Sequence, residues 1–368
     1  MAKGLYIGVD GKARKVKKIY TGINGKARKV KKGYIGIDGK ARLFFSGEKK
    51  QLSYYGKATA LSVARAYLAA ASISDYAIFY GGFYGSLTND KNMDIYNSSL
   101  VKVTNNSYGF IRRMAAASNS GYAMFGGGEN SEEESISTVR AIDGNLTITA
   151  TALSVARFDL AATTVNDYAL FGGGYSKRSH YYATVDAFDI DLTKTIPTAL
   201  SVSRSDLAAT TVGDYALFGG GIDSGMYTAT VDAYDTNLTK TTATALSEAR
   251  RGLAATTVGN HALFAGEINN ATVDAYDTNL TKTTATPLSV ARDGLAATTV
   301  GDYALFGGGN ATVDAYDTDL VKSTATPLSV SRSDLAATTI GNYALFGGGR
   351  NGDNDSKVVD VYQVSESN

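Results

Sequence analysis

Between residues 51 and 368 the chain consists of short β-prone runs broken by glycine-rich turns, and no stretch carries an apolar stripe at helical spacing. Segment 204–249 shows the unit. Residues 207–212 are small and β-prone, Gly213-Asp214 is a tight-turn pair, and 215–218 (Tyr-Ala-Leu-Phe) runs into three glycines. Residues 230–234 then alternate, and 238–246 is threonine-rich. Strand signals in this order, joined by short turns, predict a four-stranded antiparallel meander.

The unit recurs along the chain. Phe79, Phe125, Phe171, Phe218, Phe264, Phe306 and Phe346 mark seven copies, spaced 46, 46, 47, 46, 42 and 40 residues apart. Each has an arginine upstream: Arg65, Arg112, Arg157, Arg204, Arg250, Arg292 and Arg332. The spacing to the phenylalanine is 14 residues in six copies and 13 from Arg112 to Phe125. A strand repeat of this length predicts an all-β fold, a seven-bladed β-propeller. Small residues in the first strand, such as Leu-Ala-Ala-Thr-Thr-Val, suit the crowded axis, and the larger Tyr and Phe of later strands suit the widening gap between blades. Pro197, Pro287 and Pro327 are placed in the fourth, outer strand, where a missing N–H costs least. The last copy stops after its third strand, near 358–362, whereas 57–65 matches the end of other units, such as 242–250. A strand near residues 51–63 is therefore expected to complete the blade of Phe346 and close the ring.

The first region follows a different pattern. A 14-residue period opens at Tyr6, Tyr20 and Tyr34, and Asp10-Gly11, Asn24-Gly25 and Asp38-Gly39 are dipeptides suited to two-residue hairpin turns. Residues 1–48 thus predict a ribbon of β-hairpins preceding a propeller at 49–368. Charge separates the regions as well: residues 1–50 hold 15 Lys/Arg against Asp10, Asp38 and Glu48, a net +12, and the remainder holds 21 basic and 32 acidic residues, a net −11. The ribbon has too little apolar material to be stable alone, which points to attachment to an acidic protein surface or to assembly into a homo-oligomer such as a trimer.

Chemistry is limited by composition. With no cysteine, disulfide frameworks, thiolate metal sites and cysteine nucleophiles are excluded, and His180 and His261 are too few for a histidine-rich metal centre. No cofactor is expected. Glu132, Glu133 and Glu134 form an acidic run that reads as a solvated loop rather than a calcium site. No apolar run approaches membrane-spanning length and no export signal is evident, so the expectation is a protein made in a cytoplasm, with no membrane partner. The ribbon shows no nucleic-acid module, so nucleic acid is not the expected partner.

Phe-Gly-Gly-Gly, the following Val-Asp-Ala-Tyr-Asp (231–235, 273–277, 313–317) and the upstream Ser-Val-Ala-Arg resemble kelch repeats over 318 of 368 residues. The resemblance implies a kelch-like β-propeller; the kelch tryptophan is absent, and Leu238 and its equivalents are expected to fill its volume. Together with the Gly-(Val/Ile)-Asp-Gly-Lys-Ala-Arg hairpins, the units resemble tail-associated and receptor-binding proteins of bacteriophages of Firmicutes. That likeness implies a non-enzymatic virion adhesin, with residues 1–48 docked on a phage tail or baseplate protein and the propeller binding a bacterial surface glycan or protein. A sugar-active kelch-type enzyme (mutarotase or glycosidase) and an intracellular interaction scaffold are the alternatives.

Variation among the copies locates a candidate site. The loops after the glycines (83–92, 129–137, 175–183, 222–229, 267–271, Asn310 and 350–357) differ in length and chemistry, and the turns on the opposite face hardly vary. Phe83, Tyr84, Asn89, Tyr175, His180, Tyr181, Tyr182, Asp223 and Tyr227 are the candidate ligand contacts, since aromatic rings flanked by amides and carboxylates suit sugars or protein surfaces. The seven arginines have two readings: a positive central mouth for an anionic ligand, or framework groups bonded to carbonyls and to aspartates such as Asp159, Asp206 and Asp334. Framework is preferred, because a residue repeated in every blade more often holds the fold. Catalysis usually breaks such symmetry, and Glu129, Glu248 and Glu267 do break it.

Overall fold

A computed structural model describes residues 50–83, 93–106, 109–178 and 180–366, with the backbone of the strands between residues 6 and 46. Two compact units emerge, Met1–Gln51 with Val364–Asn368, and Leu52–Gln363. The first contains three antiparallel hairpins, Tyr6–Val9 with Lys12–Lys15, Ile19–Ile23 with Lys26–Val30, and Lys32–Ile37 with Lys40–Ser46. Opposed residues Val9 and Lys12, Ile23 and Lys26, and Ile37 and Lys40 leave two residues for each turn. The turn dipeptides themselves lie outside the described residues.

The second unit is a seven-bladed β-propeller of four-stranded antiparallel sheets, without a helix among the described residues. In blade 4 the strands are Ala208–Val212, Tyr215–Gly219, Val231–Tyr234 and Lys240–Ala243, paired in that order. The seven first strands touch one another in succession and the last touches the first. They surround a channel of about 440 Å³ lined by their alanines, serines and threonines. Small side chains are required where seven strands converge, and hydroxyls turn the crowding into bonds. Thr163 meets Thr211 at 2.8 Å, Thr210 meets Thr257 at 2.9 Å, Thr256 meets Thr299 at 2.8 Å and Thr298 meets Thr339 at 2.8 Å.

Larger rings fill the space farther out. Phe218 and Tyr234 stand edge to face at 5.9 Å, and the same pair recurs as Phe79–Tyr96, Phe264–Tyr276, Phe306–Tyr316 and Phe346–Tyr362. Each of these tyrosines donates its hydroxyl to a carbonyl of the outer segment, as Tyr234 does to Thr198 at 2.7 Å. The second glycine of each motif serves close approach: at Gly220 φ is +69° and an added Cβ would lie 2.7 Å from the Arg250 carbonyl oxygen of the next blade.

Blade 7 takes its fourth strand from the start of the unit, in the order Ala336–Ile340, Tyr343–Gly347, Val359–Glu366, Lys50–Lys57. Tyr54 donates to Asp360 at 2.8 Å and packs on Tyr362, and Tyr55 packs on Tyr343. The closing strand thus ends at Lys57 rather than near 63. Beyond it the chain leaves the sheet, with Leu61 donating to the Lys357 carbonyl at 2.8 Å. The other fourth strands stop early for the same reason: Leu246 turns inward to a buried position and bonds Ala229. Pro197, Pro287 and Pro327 consequently follow the fourth strands, which end at Thr195, Ala285 and Ala325, instead of lying in them. Leu238 takes positive φ (61°) in the turn between the third and fourth strands and packs against a cluster that includes Phe218 and Tyr234.

Candidate recognition rim

The repeat arginines are built into the blades. Arg204 is fully buried, its Nη2 donating to the Phe218 carbonyl at 3.1 Å and to Asp232 at 2.9 Å. Asp232 also accepts the Ser201 hydroxyl at 2.5 Å and its N–H at 3.1 Å. Strand register places the acid, since Phe218 lies opposite Asp232. The clamp recurs as Arg65–Asp94 (2.9 Å), Arg157–Asp186 (2.8 Å), Arg250–Asp274 (2.7 Å), Arg292–Asp314 (2.9 Å) and Arg332–Asp360 (2.7 Å). These six arginines are framework, at most 3% exposed, and line no mouth. Their acids are the third-strand aspartates, because Asp159, Asp206 and Asp334 face away from the clamp, at the end of the ring.

Arg112 belongs to a different position. The residue 14 before Phe125 is Ile111, and it is the Ile111 carbonyl that accepts from Gly82, as the Arg157 and Arg204 carbonyls accept from Gly128 and Gly174. Opposite Phe125, where other blades hold the clamp aspartate, stands Arg140. Blade 2 therefore lacks both members of the pair, as electrostatics requires, since one member alone would leave an unpaired buried charge. Arg112 instead occupies the position of Ala66, Phe158 and Ser205, which bridge to Phe83, Tyr175 and Ile222 just as Arg112 bridges to Glu129. These bridges bring the post-glycine loops and the connections between blades to one face.

On that face, one residue further along, Tyr67, Arg113, Asp159, Asp206, Gly252, Gly294 and Asp334 all have positive φ. Their backbones link around the axis: Arg113 donates to the Tyr67 carbonyl, Asp159 to Arg113, Asp206 to Asp159, Gly252 to Asp206, Asp334 to Gly294 and Tyr67 to Asp334, at 2.8–3.1 Å. One backbone conformation thus presents a tyrosine, an arginine and three aspartates, with glycine at the two remaining positions, around the channel opening, and we call this ring the rim.

Its chemistry is lopsided. Around blades 7, 1 and 2, Tyr67, Phe83, Arg112, Arg113 and Arg350 line a cavity of about 240 Å³. Arg112 lies over Phe83 (5.2 Å) and bonds Glu129 at 2.5 Å, Arg113 lies over Phe158 (5.1 Å), and Arg350 donates to the Tyr67 hydroxyl at 3.3 Å. Around blades 3 and 4 the rim is acidic, with Asp159 3.2 Å from Arg113 and Asp206 3.4 Å from Arg251. Burial, reinforced by Asp206, pushes the Asp159 carboxyl up to about 7, and burial also raises Asp206.

Of the residues singled out in the sequence, Phe83 lines the cavity and Tyr175 packs on Phe158 and Tyr181. Tyr227 lies under Arg251, whose guanidinium pairs with Asp206. His180 and Tyr182 form an edge-to-face pair on the blade 3 hairpin, and Asp223 lies on the blade 4 hairpin, bonded to Ser224. Tyr84 and Asn89 lie outside the described residues. Glu248 bonds Asn270, and Glu267 stands at φ 150°. Sequence reasoning missed Tyr67, Arg113, Arg251 and Arg350; the 13-residue spacing in blade 2 was the signal that its arginines are shifted. No group of acidic or histidine side chains suited to hold a metal occurs among the described residues. No protein-family model matches this chain, and no curated protein matches it.

Proposed function

We propose that this protein is a non-catalytic recognition module, a phage tail or virion adhesin of kelch type, whose rim and adjoining loops bind a bacterial surface molecule while the basic hairpins at 1–48 attach it to the particle. One observation carries the reading: a frame repeated almost unchanged through seven blades holds a tyrosine, an arginine, three aspartates and two glycines at the same rim position, beside loops of unequal length on a single face. Function built on a rigid scaffold takes this form. The resemblance of the hairpins and repeats to phage proteins supports the particle assignment, and several copies per particle would strengthen weak single contacts. The test is binding of labelled protein to candidate bacterial cells, with the long loops of blades 3, 4 and 7 shortened to the length of blade 6. Loss of binding by a variant with unchanged melting temperature is expected; full retention overturns the reading.

A sugar-active enzyme is the second reading, favoured by Asp159, a carboxyl that ionises near neutrality beside Arg113. Turnover of a saccharide panel, abolished by Asp159→Asn, would establish it.

A further inference from the structure

Three guanidinium groups and two aromatic rings meet in the cavity between blades 7, 1 and 2. Two carboxylates lie within ion-pair distance of them: Glu129, 2.5 Å from Arg112 and 3.6 Å from Arg113, and Asp159, 3.2 Å from Arg113. Among these contact groups the guanidiniums outnumber the carboxylates three to two, and the charges of Asp334 and Asp355 also reach Arg350. Glu129 engages Arg112 through Nε, and neither Nη of Arg112 has a partner among the described residues. Arg350 uses Nε on the Gly352 carbonyl and Nη1 on Tyr67, which leaves Nη2 for a ligand. Glu129 is buried and fixes Arg112 on the ring of Phe83, so the donors are held in place before anything binds.

Blade 2 is the source of this arrangement. Every other blade sinks its arginine into the clamp, and blade 2, lacking the clamp, brings Arg112 and Arg113 to the surface side by side. A cavity of about 240 Å³ has room for one charged substituent and part of the sugar that bears it. Guanidinium forks match the paired oxygens of carboxylate and phosphate, and aromatic rings match the C–H face of a pyranose.

Resting on the recognition reading above, we propose that this cavity binds the anionic substituent of an acidic saccharide, a carboxylate or phosphate, with the sugar against Tyr67 and Phe83. Calorimetric titration of the full chain with tri-galacturonic acid, its methyl ester and a glycerol-phosphate trimer tests this, at low and high salt. At least one of the two anionic probes is expected to bind about tenfold or more tightly than the ester, with affinity falling as salt rises. Whichever anion binds better identifies carboxylate or phosphate as the natural group. Arg113→Gln and Arg350→Gln are each expected to weaken that binding about tenfold. Arg350 sits on a surface hairpin, so its variant keeps the fold, which an unchanged melting temperature would verify.

An ester that binds as tightly as the acids, or a folded Arg350→Gln protein with unchanged affinity, overturns the proposal. Absence of any saccharide binding by a protein that still binds cells overturns it as well, leaving the rim reading intact with a different ligand. Anion binding without attachment to any cell supports the cavity's chemistry and sinks the adhesin reading instead.

Discussion

Removing Asp232 tests the clamp. Both Asp232 and Arg204 are fully buried, and Asp232→Ala would leave the guanidinium uncompensated while its bond to the Phe218 carbonyl persists. Breaking a buried pair from one side costs about 3–5 kcal/mol, and the lost acceptor for Ser201 adds about 1 kcal/mol. With an unfolding entropy of about 2.1 cal/mol/K per residue, 1 kcal/mol is worth roughly 1.5 °C in a unit of roughly 310 residues, so Tm should fall by about 6–9 °C. Asp235→Ala is the control: this half-buried acid accepts the N–H groups of Asn237 and Thr239 in a turn, and its loss should cost about 1 kcal/mol, or about 1–2 °C. The double variant Arg204→Met, Asp232→Leu removes both charges and should recover at least half of the single variant's loss, the remainder reflecting the Phe218 carbonyl left without its donor. Blade 2, with Ile111 and Arg140 at these positions, is a natural precedent for losing both together. Differential scanning fluorimetry reads all three proteins. The reasoning is refuted if Asp232→Ala loses no more than Asp235→Ala, or if the double variant loses as much as Asp232→Ala.

Gly220→Ala forces a side chain onto a residue at φ +69° with its Cβ 2.7 Å from the Arg250 carbonyl oxygen, so a loss of about 2–4 kcal/mol and about 3–6 °C in Tm is expected by the same assay. Deleting residues 1–57 removes the closing strand and uncovers the edge of Val359–Glu366; gel filtration should show aggregation, and a well-behaved monomer would contradict closure by that strand. Because the folded state raises the Asp159 carboxyl to about 7, it binds that proton more tightly than the unfolded chain does, and ionisation opposes folding. The destabilisation is absent below about pH 4 and complete above about pH 7, so Tm should decline between about pH 4 and about pH 7, less steeply in Asp159→Asn. Equal slopes in the two proteins would exclude Asp159 as the source.

The repeat spacing, the small-to-large order along each unit and the complementary chain ends were enough to establish seven blades, their inner and outer strands, and the closing strand. These features depend on local strand and turn preferences and on the taper of a ring, both of which are written in residue size and position. Sequence could not show where the arginines go. Asp206, two residues from Arg204, is the near partner along the chain, but the true acids of Arg157, Arg204 and Arg250 lie 24–29 residues away, because strand register sets Asp opposite Phe. Arg112 resembles a seventh copy by residue type; its 13-residue spacing to Phe125 signals a shift, and the backbone bonds of Ile111 fix it as one residue, which brings Arg112 to the surface. The rim is likewise a tertiary fact: Tyr67, Arg113, Asp159, Asp206 and Asp334 are dispersed along the chain and become neighbours when the ring closes and their backbones bond around its axis. Local sequence determined the blades, and closure decided which side chains share a surface.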